Sequence, residues 1–326
     1  MARSSRRRFT RSDAAQLAVL AAVGALIAWL VENASHNLAS RGITSGFGFL
    51  SRAARFPISE SLLSYSPVDS FAWALAVGLG NTLLLSVIVA LLSTVLGLPL
   101  ALGRRSRNPV VSGLATTFVD VVRNTPLIVQ LLFFYSVLIF ALPGPGAALH
   151  PLPGVFLTNR GLYLPWITSV GRWALDLPRT GRFNFSGGIA LSPEFAAIVT
   201  GLTLYSTAFA AEIIRTGIEA VPRGQWEAAR ALGLPERRLF RLVVTPQALR
   251  VIVPPMTSQY INIIKNSTLA LVVGYPDLSF VIATTINQTG QAVEGVTILV
   301  VIFLSISFSA SAAMNAYNRR LALVGR

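Results

Sequence analysis

Six long apolar runs alternate with polar segments along the 326-residue chain. They cover residues 14–31, 71–102, 110–142, 193–221, 246 to about 273, and 293–317. Because a membrane-spanning helix needs about 17 to 25 predominantly apolar residues, each run is long enough to cross a bilayer. The pattern therefore predicts an all-α integral membrane protein with six transmembrane helices, the first of them separated from the others by a polar loop.

Polar residues and prolines interrupt several of the runs. The third run begins amphipathic and becomes apolar only after Pro126. The second run contains Asn81 and Thr82, and polar residues inside a membrane helix usually bond to a neighbouring helix. We therefore expect Asn81 and Thr82 to serve helix packing.

The segments between the runs differ in composition. Residues 32–70 form a polar loop rich in Gly, Ser and Pro, whereas residues 143–191 combine several prolines with Phe, Tyr and Trp. Aromatic residues concentrate at membrane surfaces, so the second loop is expected to be an interfacial segment at the outer face. Residues 275–288 are expected to form a short helix and loop on the same side.

Charge distribution supports this arrangement. Only 12% of the residues are charged against 53% hydrophobic, and the net charge is +14. If both termini lie inside, 19 arginines fall in cytoplasmic segments and 7 in outer loops. That bias has the sign of the positive-inside rule. The basic residues lie at the ends of apolar runs, so the charge predicts a membrane protein and no nucleic-acid partner.

The polar stretch 221–250 carries a helix pattern of its own. Good helix formers run from Gln225 to Leu232, and Gly233 stands where a left-handed C-terminal cap would fall. Glu227 and Arg230 are three residues apart and are expected to pair. A further helix is expected to begin at Thr245 as its N-cap. Several small residues would let another protein approach this helix closely: Ala228, Ala229, Ala231 and Gly233.

At these residues the chain resembles the permease subunits of ABC importers. Their EAA loop is matched by Glu227-Ala228-Ala229, then Gly233, and then Thr245-Pro246 after Val243. Val243 and Thr245 replace the usual Ile and Leu of the pattern. The resemblance implies that residues 222–247 form a coupling loop that docks into a cytoplasmic ATPase. It assigns this ATPase-coupling role to Glu227, Ala228, Ala229, Gly233 and Pro246.

Other stretches extend the resemblance to nearly the whole chain. Residues 122–135 resemble the polar-amino-acid branch of these permeases, and residues 41–49 and 159–165 resemble the general L-amino-acid importers. The resemblance implies amino-acid uptake across the bacterial inner membrane through an importer-type (type I) permease core. It also implies these partners: two ABC ATPase subunits, a second permease chain (sister or identical copy), and a periplasmic amino-acid-binding protein, in addition to membrane lipid.

The chain cannot hydrolyse ATP through a P-loop. A Walker A sequence needs Gly-Lys-Ser/Thr, and the single lysine, Lys265, follows Ile264. A partner subunit would therefore hydrolyse ATP, and we expect neither enzymatic activity nor a cofactor in this chain. The chain lacks cysteine, and its two histidines lack metal-ligand spacing, so no catalytic residues and no metal site are predicted.

Lys265 is the strongest candidate for a residue on the substrate path. An ionisable group inside an apolar run suggests function, and Asn266, Ser267 and Thr268 add polar groups beside it. Lys265 could attract a substrate carboxylate or hold a gate closed against Glu212, and a purely structural lysine is the alternative. For the chain as a whole, the alternative function is an ATP-independent channel or ion-coupled transporter, which needs no docking helix.

The predicted organisation has three parts. Residues 1–70 hold a cytoplasmic tail, the first span and a periplasmic loop, residues 71–318 form the permease domain, and residues 319–326 form a cytoplasmic tail. The arginine-rich start of the chain also resembles a twin-arginine export signal. No clear cleavage site follows the first run, so a retained membrane anchor is favoured.

Overall fold

A computed structural model describes residues 11–40, 46–168, 174–181 and 184–322. Much of the arginine-rich N-terminal tail and half of the 41–49 stretch lie outside these ranges. Most of the described chain is helical. The helices are α1 (Arg11–Ser40), α2 (Phe71–Arg104), α3 (Pro109–Asn124), α4 (Leu127–Phe140), α5 (Pro193–Glu219), α6 (Arg223–Ala231), α7 (Glu236–Leu239), α8 (Thr245–Asn266), α9 (Ala270–Val273), α10 (Leu278–Thr289) and α11 (Ala292–Ala322).

Among the described residues, three helices are long and apolar enough to cross a membrane: α2, α5 and α11. The count rises to five if two bent pairs each make one crossing. These pairs are α3 with α4, bent by 103°, and the helical segment Glu236–Val273 with α10, bent by 52°. Helix α1 carries a shorter apolar stretch, Ala14–Leu30, so the crossing at 14–31 stays a prediction.

The run at 110–142, predicted as one crossing, is divided into two helices bent by 103° relative to each other. Helix α3 ends at Asn124, and Thr125 has an extended backbone (ψ 128°) before Pro126. A proline disfavours the helical conformation of the residue before it and cannot donate to the preceding turn, so the chain bends here. The side chain of Gln130 stabilises the bend by donating to the carbonyl oxygens of Val122 (2.9 Å) and Thr125 (3.0 Å).

The expectation of an all-α fold is corrected by short β-strands in the described parts of residues 149–191. The strands are β1 (Leu149–Leu152), β2 (Val155–Thr158), β3 (Gly161–Leu164), β4 (Trp166–Thr168), β5 (Ala174–Asp176), β6 (Arg179–Thr180), β7 (Phe185–Ser186) and β8 (Ile189–Leu191). Strands β1-β2-β3-β8 form one antiparallel sheet in that order, and β4-β5 and β6-β7 are separate pairs.

Aromatic stacking explains why this segment folds as strands. Phe156 and Tyr163 face each other across β2 and β3, and Phe185 packs on both rings at centroid distances of 4.4 and 4.8 Å. Cross-strand aromatic pairs stabilise antiparallel sheets. The Tyr163 hydroxyl donates to the side chain of Asn184 at 2.6 Å, which closes the cluster.

Helices α2 and α5 form the centre of the fold through close packing of small residues. A side chain at Gly97 of α2 would place its Cβ 2.9 Å from the Cβ of Ala210 and 3.2 Å from the backbone nitrogen of Ala211. Small residues let membrane helices approach closely and gain van der Waals contact. The α2–α5 pair therefore forms the scaffold against which α3, α4 and α8 pack.

The packing role expected for Asn81 and Thr82 is confirmed. The Asn81 amide donates to the carbonyl oxygens of Glu60 (2.8 Å) and Pro276 (2.9 Å), and the Thr82 hydroxyl accepts from the backbone N–H of Leu278 (3.0 Å). Both side chains are fully buried. They join α2 to the start of α10 and to the loop before α2.

Helix α8 begins at Thr245 as expected, but Thr245 is not its N-cap, because the backbone is helical without a break from α7 into α8. Residues Phe240–Val244 form one π-helical turn between them, and Thr245 itself is helical. Pro246 cannot donate a hydrogen bond, and its ring crowds the preceding turn. A widened π turn relieves that crowding and often marks a functional position. Helices α7 and α8 are therefore joined without an intervening loop.

Candidate functional site

Helix α6 begins after Pro222 and ends at the glycine that the sequence indicated. Gly233 has φ +73°, its N–H donates to the Arg230 carbonyl (2.9 Å), and the N–H of Leu234 donates to the Ala229 carbonyl (3.2 Å). These two bonds form a Schellman motif, in which a left-handed residue satisfies the last carbonyl groups of a helix. The predicted C-terminal cap is confirmed.

The two faces of α6 have different partners. Trp226 and Ala229 face the chain's own interior, and Ala229 is only 3% exposed within a cluster that includes Leu239 and Val244. Glu227 and Ala228 lie on the exposed face. Of the alanine pair in the EAA match, therefore, only Ala228 is available to another protein, while Ala229 seats the helix.

The exposed face carries a residue that sequence reasoning missed. Leu232, which follows the last residue of α6, is 80% exposed. Ala228, four residues earlier, is also exposed, so the two share one side of the helix. The signal in the sequence is a large apolar residue directly before the glycine cap.

Arg230 pairs differently from expectation. Its guanidinium contacts the carboxylate of Glu236 at 2.8 Å, whereas Glu227 makes none of the ion pairs found in the described chain. The hydrogen bond from Arg230 lowers the pKa of Glu236, and the same bond, helped slightly by the Glu227 charge, raises the pKa of Arg230. This contact spans the Gly233 turn and links α6 to α7.

A row of alternating charges lies at the C-terminal ends of α2 and α5. Glu212 accepts from Arg104 and from Arg215, the latter at 2.7 and 3.2 Å. Arg215 also contacts Glu219 at 2.6 Å, and Glu219 lies 3.8 Å from Arg105. The row ties the end of α2 to the last two turns of α5.

Trp226 joins this row to helix α6. The guanidinium carbons of Arg105 and Arg230 lie 5.9 and 6.0 Å from the centre of its ring, and the ring of Phe240 is 6.2 Å away. A cavity of about 690 Å³ opens beside it. Six of its lining residues carry charge or aromatic surface: Arg105, Glu219, Arg223, Trp226, Glu227 and Arg230.

The predicted polar cluster lies at the break between α8 and α9. Ser267 is buried and its hydroxyl donates to the Ile264 carbonyl, and Thr268 donates to the Lys265 carbonyl, both at 2.7 Å. The two hydroxyls therefore satisfy the end of α8. Asn266 is half-buried, and the Lys265 side chain is exposed.

Glu212 and Lys265 do not form the closed gate that was one reading of the sequence. The Glu212 carboxylate is held by Arg104 and Arg215, and Lys265 enters none of the ion pairs of residues 11–40, 46–168, 174–181 and 184–322. Glu212 thus lies in the charged row near the C-terminal end of α5, apart from the group at the α8–α9 break. Pro246 of the EAA match lies in the first turn of α8.

Comparison with known proteins adds independent information. The family model described as "Binding-protein-dependent transport system inner membrane component" matches residues 93–323. The putative amino-acid ABC transporter permease protein YhdX of Escherichia coli K12 is 41% identical over 95% of this chain and 93% of its own length. The general L-amino acid transport system permease protein AapQ of Rhizobium johnstonii is 36% identical over 97% and 93%.

Solved structures agree with the fold. A crystal structure of an amino acid ABC transporter with histidines is 27% identical, with a TM-score of 0.58 over 77% of this chain and 95% of that chain. An inward-facing MetNI methionine ABC transporter, at 19% identity and a TM-score of 0.52, shares the fold. The chain belongs to the family of inner membrane components of binding-protein-dependent transport systems, the permease subunits of ABC importers.

Proposed function

We propose that this chain is the permease subunit of an ATP-driven importer of amino acids, coupled to a separate ATPase through residues 222–247. The relatives named as amino-acid permeases share nearly the whole chain with it, which supports the substrate class. The observation that carries the coupling proposal is the presentation of α6. One face of this helix is anchored against the chain's own core, while Glu227, Ala228 and Leu232 are exposed at its other face.

The docking face has the chemistry of an interface. Leu232 offers an apolar anchor, Ala228 allows close backbone approach, and Glu227 provides a charge at the rim. Interfaces concentrate binding energy in a few buried anchors surrounded by polar groups. Gly233 completes the face because its left-handed backbone turns the chain away directly after the anchor.

ATP hydrolysis belongs to the partner, because this chain has no Walker A sequence. When the two ATPase subunits close, each carries one docked α6 with it. Trp226 and Ala229 pack α6 against the membrane core, so the movement reaches α5 and α8 and alternates access to the substrate path. A second permease chain, sister or identical copy, and a periplasmic amino-acid-binding protein complete the importer.

The proposed membrane arrangement has six crossings with both termini in the cytoplasm. Five crossings are α2, the α3–α4 pair, α5, the bent segment from α8 through α10, and α11, and α1 supplies the sixth. The permease domain then covers residues 71–318, residues 1–70 hold a cytoplasmic tail, the first span and a periplasmic loop, and residues 319–326 form a cytoplasmic tail. This places the EAA loop on the cytoplasmic side and the β-sheet outside.

Two groups of residues are proposed for the substrate path. Lys265 is exposed at the α8–α9 break, next to Asn266, Ser267 and Thr268, where its ammonium group can attract a carboxylate. Glu212 joins the path only at its cytoplasmic end, because its carboxylate is held by Arg104 and Arg215.

The test is the variant Leu232→Asp in the complete importer, purified through a tag on this chain. Burying a leucine side chain contributes about 1.5 to 3 kcal/mol, so its loss should reduce ATPase retention by tenfold or more. Uptake of labelled L-glutamate and L-glutamine should fall with it, while membrane insertion stays normal.

The matched control is Leu62→Asp, which makes the same change at a leucine 58% exposed in the loop before α2. This control should retain the ATPase and transport normally. ATPase retention and uptake at wild-type level in Leu232→Asp would contradict the proposed coupling. Uptake without ATP would favour the channel or ion-coupled alternative.

A further inference from the structure

Trp226 is the one aromatic side chain of α6, and it faces inward rather than toward the exposed face of that helix. We propose that Arg105 and Trp226 form the contact that transmits movement of α6 to the cytoplasmic end of α2, with Glu219 as the residue that positions Arg105. The inference rests on the proposed function, because it assigns the step that follows ATPase docking.

The contacts run without a gap from α6 to α2 and α5. The Arg105 guanidinium lies over the Trp226 ring at 5.9 Å, within the range of a cation–π interaction. Glu219 lies 3.8 Å from the Nε of Arg105 and 2.6 Å from Arg215, which continues to Glu212. A displacement of Trp226 therefore reaches the ends of both central helices through side chains already in contact.

The opposite side of Trp226 reaches α8. Its ring contacts that of Phe240, the first residue of the π turn, at a centroid distance of 6.2 Å and an angle of 62°. Arg230 of the same helix covers Trp226 at 6.0 Å and is itself held by Glu236. Trp226 thus contacts both Arg105, at the end of α2, and Phe240, in the turn that leads into α8.

The exposure of the Arg105 and Glu219 side chains indicates that their ion pair contributes little to the stability of the fold. The side chains of Arg105 and Glu219 are 29% and 44% exposed. Ion pairs at such positions are screened by water and contribute little to folding. Removing the Arg105 charge should therefore leave the fold and the ATPase-docking face unchanged. It should alter only the transmission of movement from α6 to α2.

The experiment compares Arg105→Gln with Arg107→Gln in proteoliposomes of the complete importer. Arg107 is exposed on the same short turn and makes none of the ring contacts or ion pairs described for the chain. The measurements are ATPase retention, ATP hydrolysis with and without loaded binding protein, and labelled L-glutamine transported per ATP hydrolysed.

For Arg105→Gln we expect normal ATPase retention. Transport per ATP should fall by about fivefold, the size of effect seen when residues between two sites alter their coupling. Arg105→Lys should restore part of the loss, because it keeps the cation over the ring, and Arg107→Gln should behave as wild type. A purely structural role would lower retention, hydrolysis and transport together and leave transport per ATP unchanged.

Two outcomes separate this inference from the proposed function. If Leu232→Asp loses the ATPase but Arg105→Gln transports with the wild-type ratio, the loop couples and the Arg105–Trp226 contact does not transmit. If Leu232→Asp retains the ATPase and transports normally, the coupling loop itself is refuted and the inference with it.

Discussion

A substitution at Gly233 is the most direct single test of whether the end of α6 must keep its observed conformation for the ATPase to dock. Its φ of +73° belongs to the left-handed region, and the two Schellman hydrogen bonds depend on it. A Cβ added there would meet no atom within 4 Å, so steric crowding inside this chain is not the issue. The effect of Gly233→Asp arises from backbone strain and charge.

The magnitude follows from those two terms. A side chain in the left-handed region costs about 1 kcal/mol, somewhat less for Asp and Asn, which visit this region most readily. A negative charge at the negative end of the helix dipole adds about 0.3 to 1 kcal/mol. The sum of about 1 to 2 kcal/mol shifts the equilibrium constant for forming this helix end by roughly 5- to 30-fold. Burying the carboxylate in an ATPase cleft would cost several kcal/mol more, because that charge has no partner.

The assay is copurification of the ATPase with tagged permease, followed by uptake of labelled amino acids. Gly233→Asp should insert into the membrane at the wild-type level, retain little ATPase and transport poorly. Gly233→Asn is the matched control, since it has the same shape, tolerates the left-handed backbone and carries no charge. It should retain most of the ATPase.

One result would refute the reasoning. If Gly233→Asp copurifies ATPase at the wild-type yield and transports normally, the loop is not the coupling element. If Gly233→Asn loses as much ATPase as Gly233→Asp, the charge contributes nothing and side-chain bulk at the interface is responsible.

Two further predictions concern Lys265, at the α8–α9 break, and Glu60, in the loop before α2. Lys265→Met should abolish uptake while expression and ATPase retention stay normal, and normal uptake would assign Lys265 a structural role. Burial raises the pKa of Glu60 above its ordinary value of 4.5, with the Ser192 hydrogen bond opposing. A carboxyl with a raised folded pKa favours folding at low pH and loses that contribution as pH rises. Glu60→Gln should therefore raise the thermal midpoint at neutral pH and change it little below pH 4.5, and an unchanged or lower midpoint at neutral pH would contradict this.

Local rules predicted the parts of the site that depend on neighbouring residues. The cap at Gly233 follows from a glycine after a run of helix formers and before a proline, and all its partners lie within five residues. The packing of Asn81 and Thr82 was predictable in kind, because lipid offers no alternative partners, although Pro276 and Leu278 could not be named.

Three features of the structure were not predicted from the sequence: the helix break at Thr125, the β-strands after α4, and the pairing of Arg230 with Glu236. Apolar content predicted a crossing at 110–142, but the extended backbone at Thr125 turned it into two helices. Residues 149–191 formed strands because aromatic rings distant in sequence stack together. The pairing of Arg230 with Glu236 needed the turn at Gly233 to bring α7 back toward α6.

The contact between Arg105 and Trp226 joins residues on opposite sides of three intervening helices in the chain order. No periodicity in the sequence relates them. Sequence reasoning therefore located the helix at 225–232 and its cap at Gly233, but not the contacts that hold this helix against the rest of the chain.

The most direct measurement of the central claim uses the natural absence of cysteine in this chain. Leu232→Cys introduces a single thiol at the proposed docking face. In inverted membrane vesicles, a short bifunctional reagent should cross-link this thiol to the ATPase subunit, and ATP should change the yield. A membrane-impermeant thiol reagent should label the residue only from the cytoplasmic side. Labelling from the periplasmic side, or no ATPase cross-link in an importer that still transports, would contradict the account.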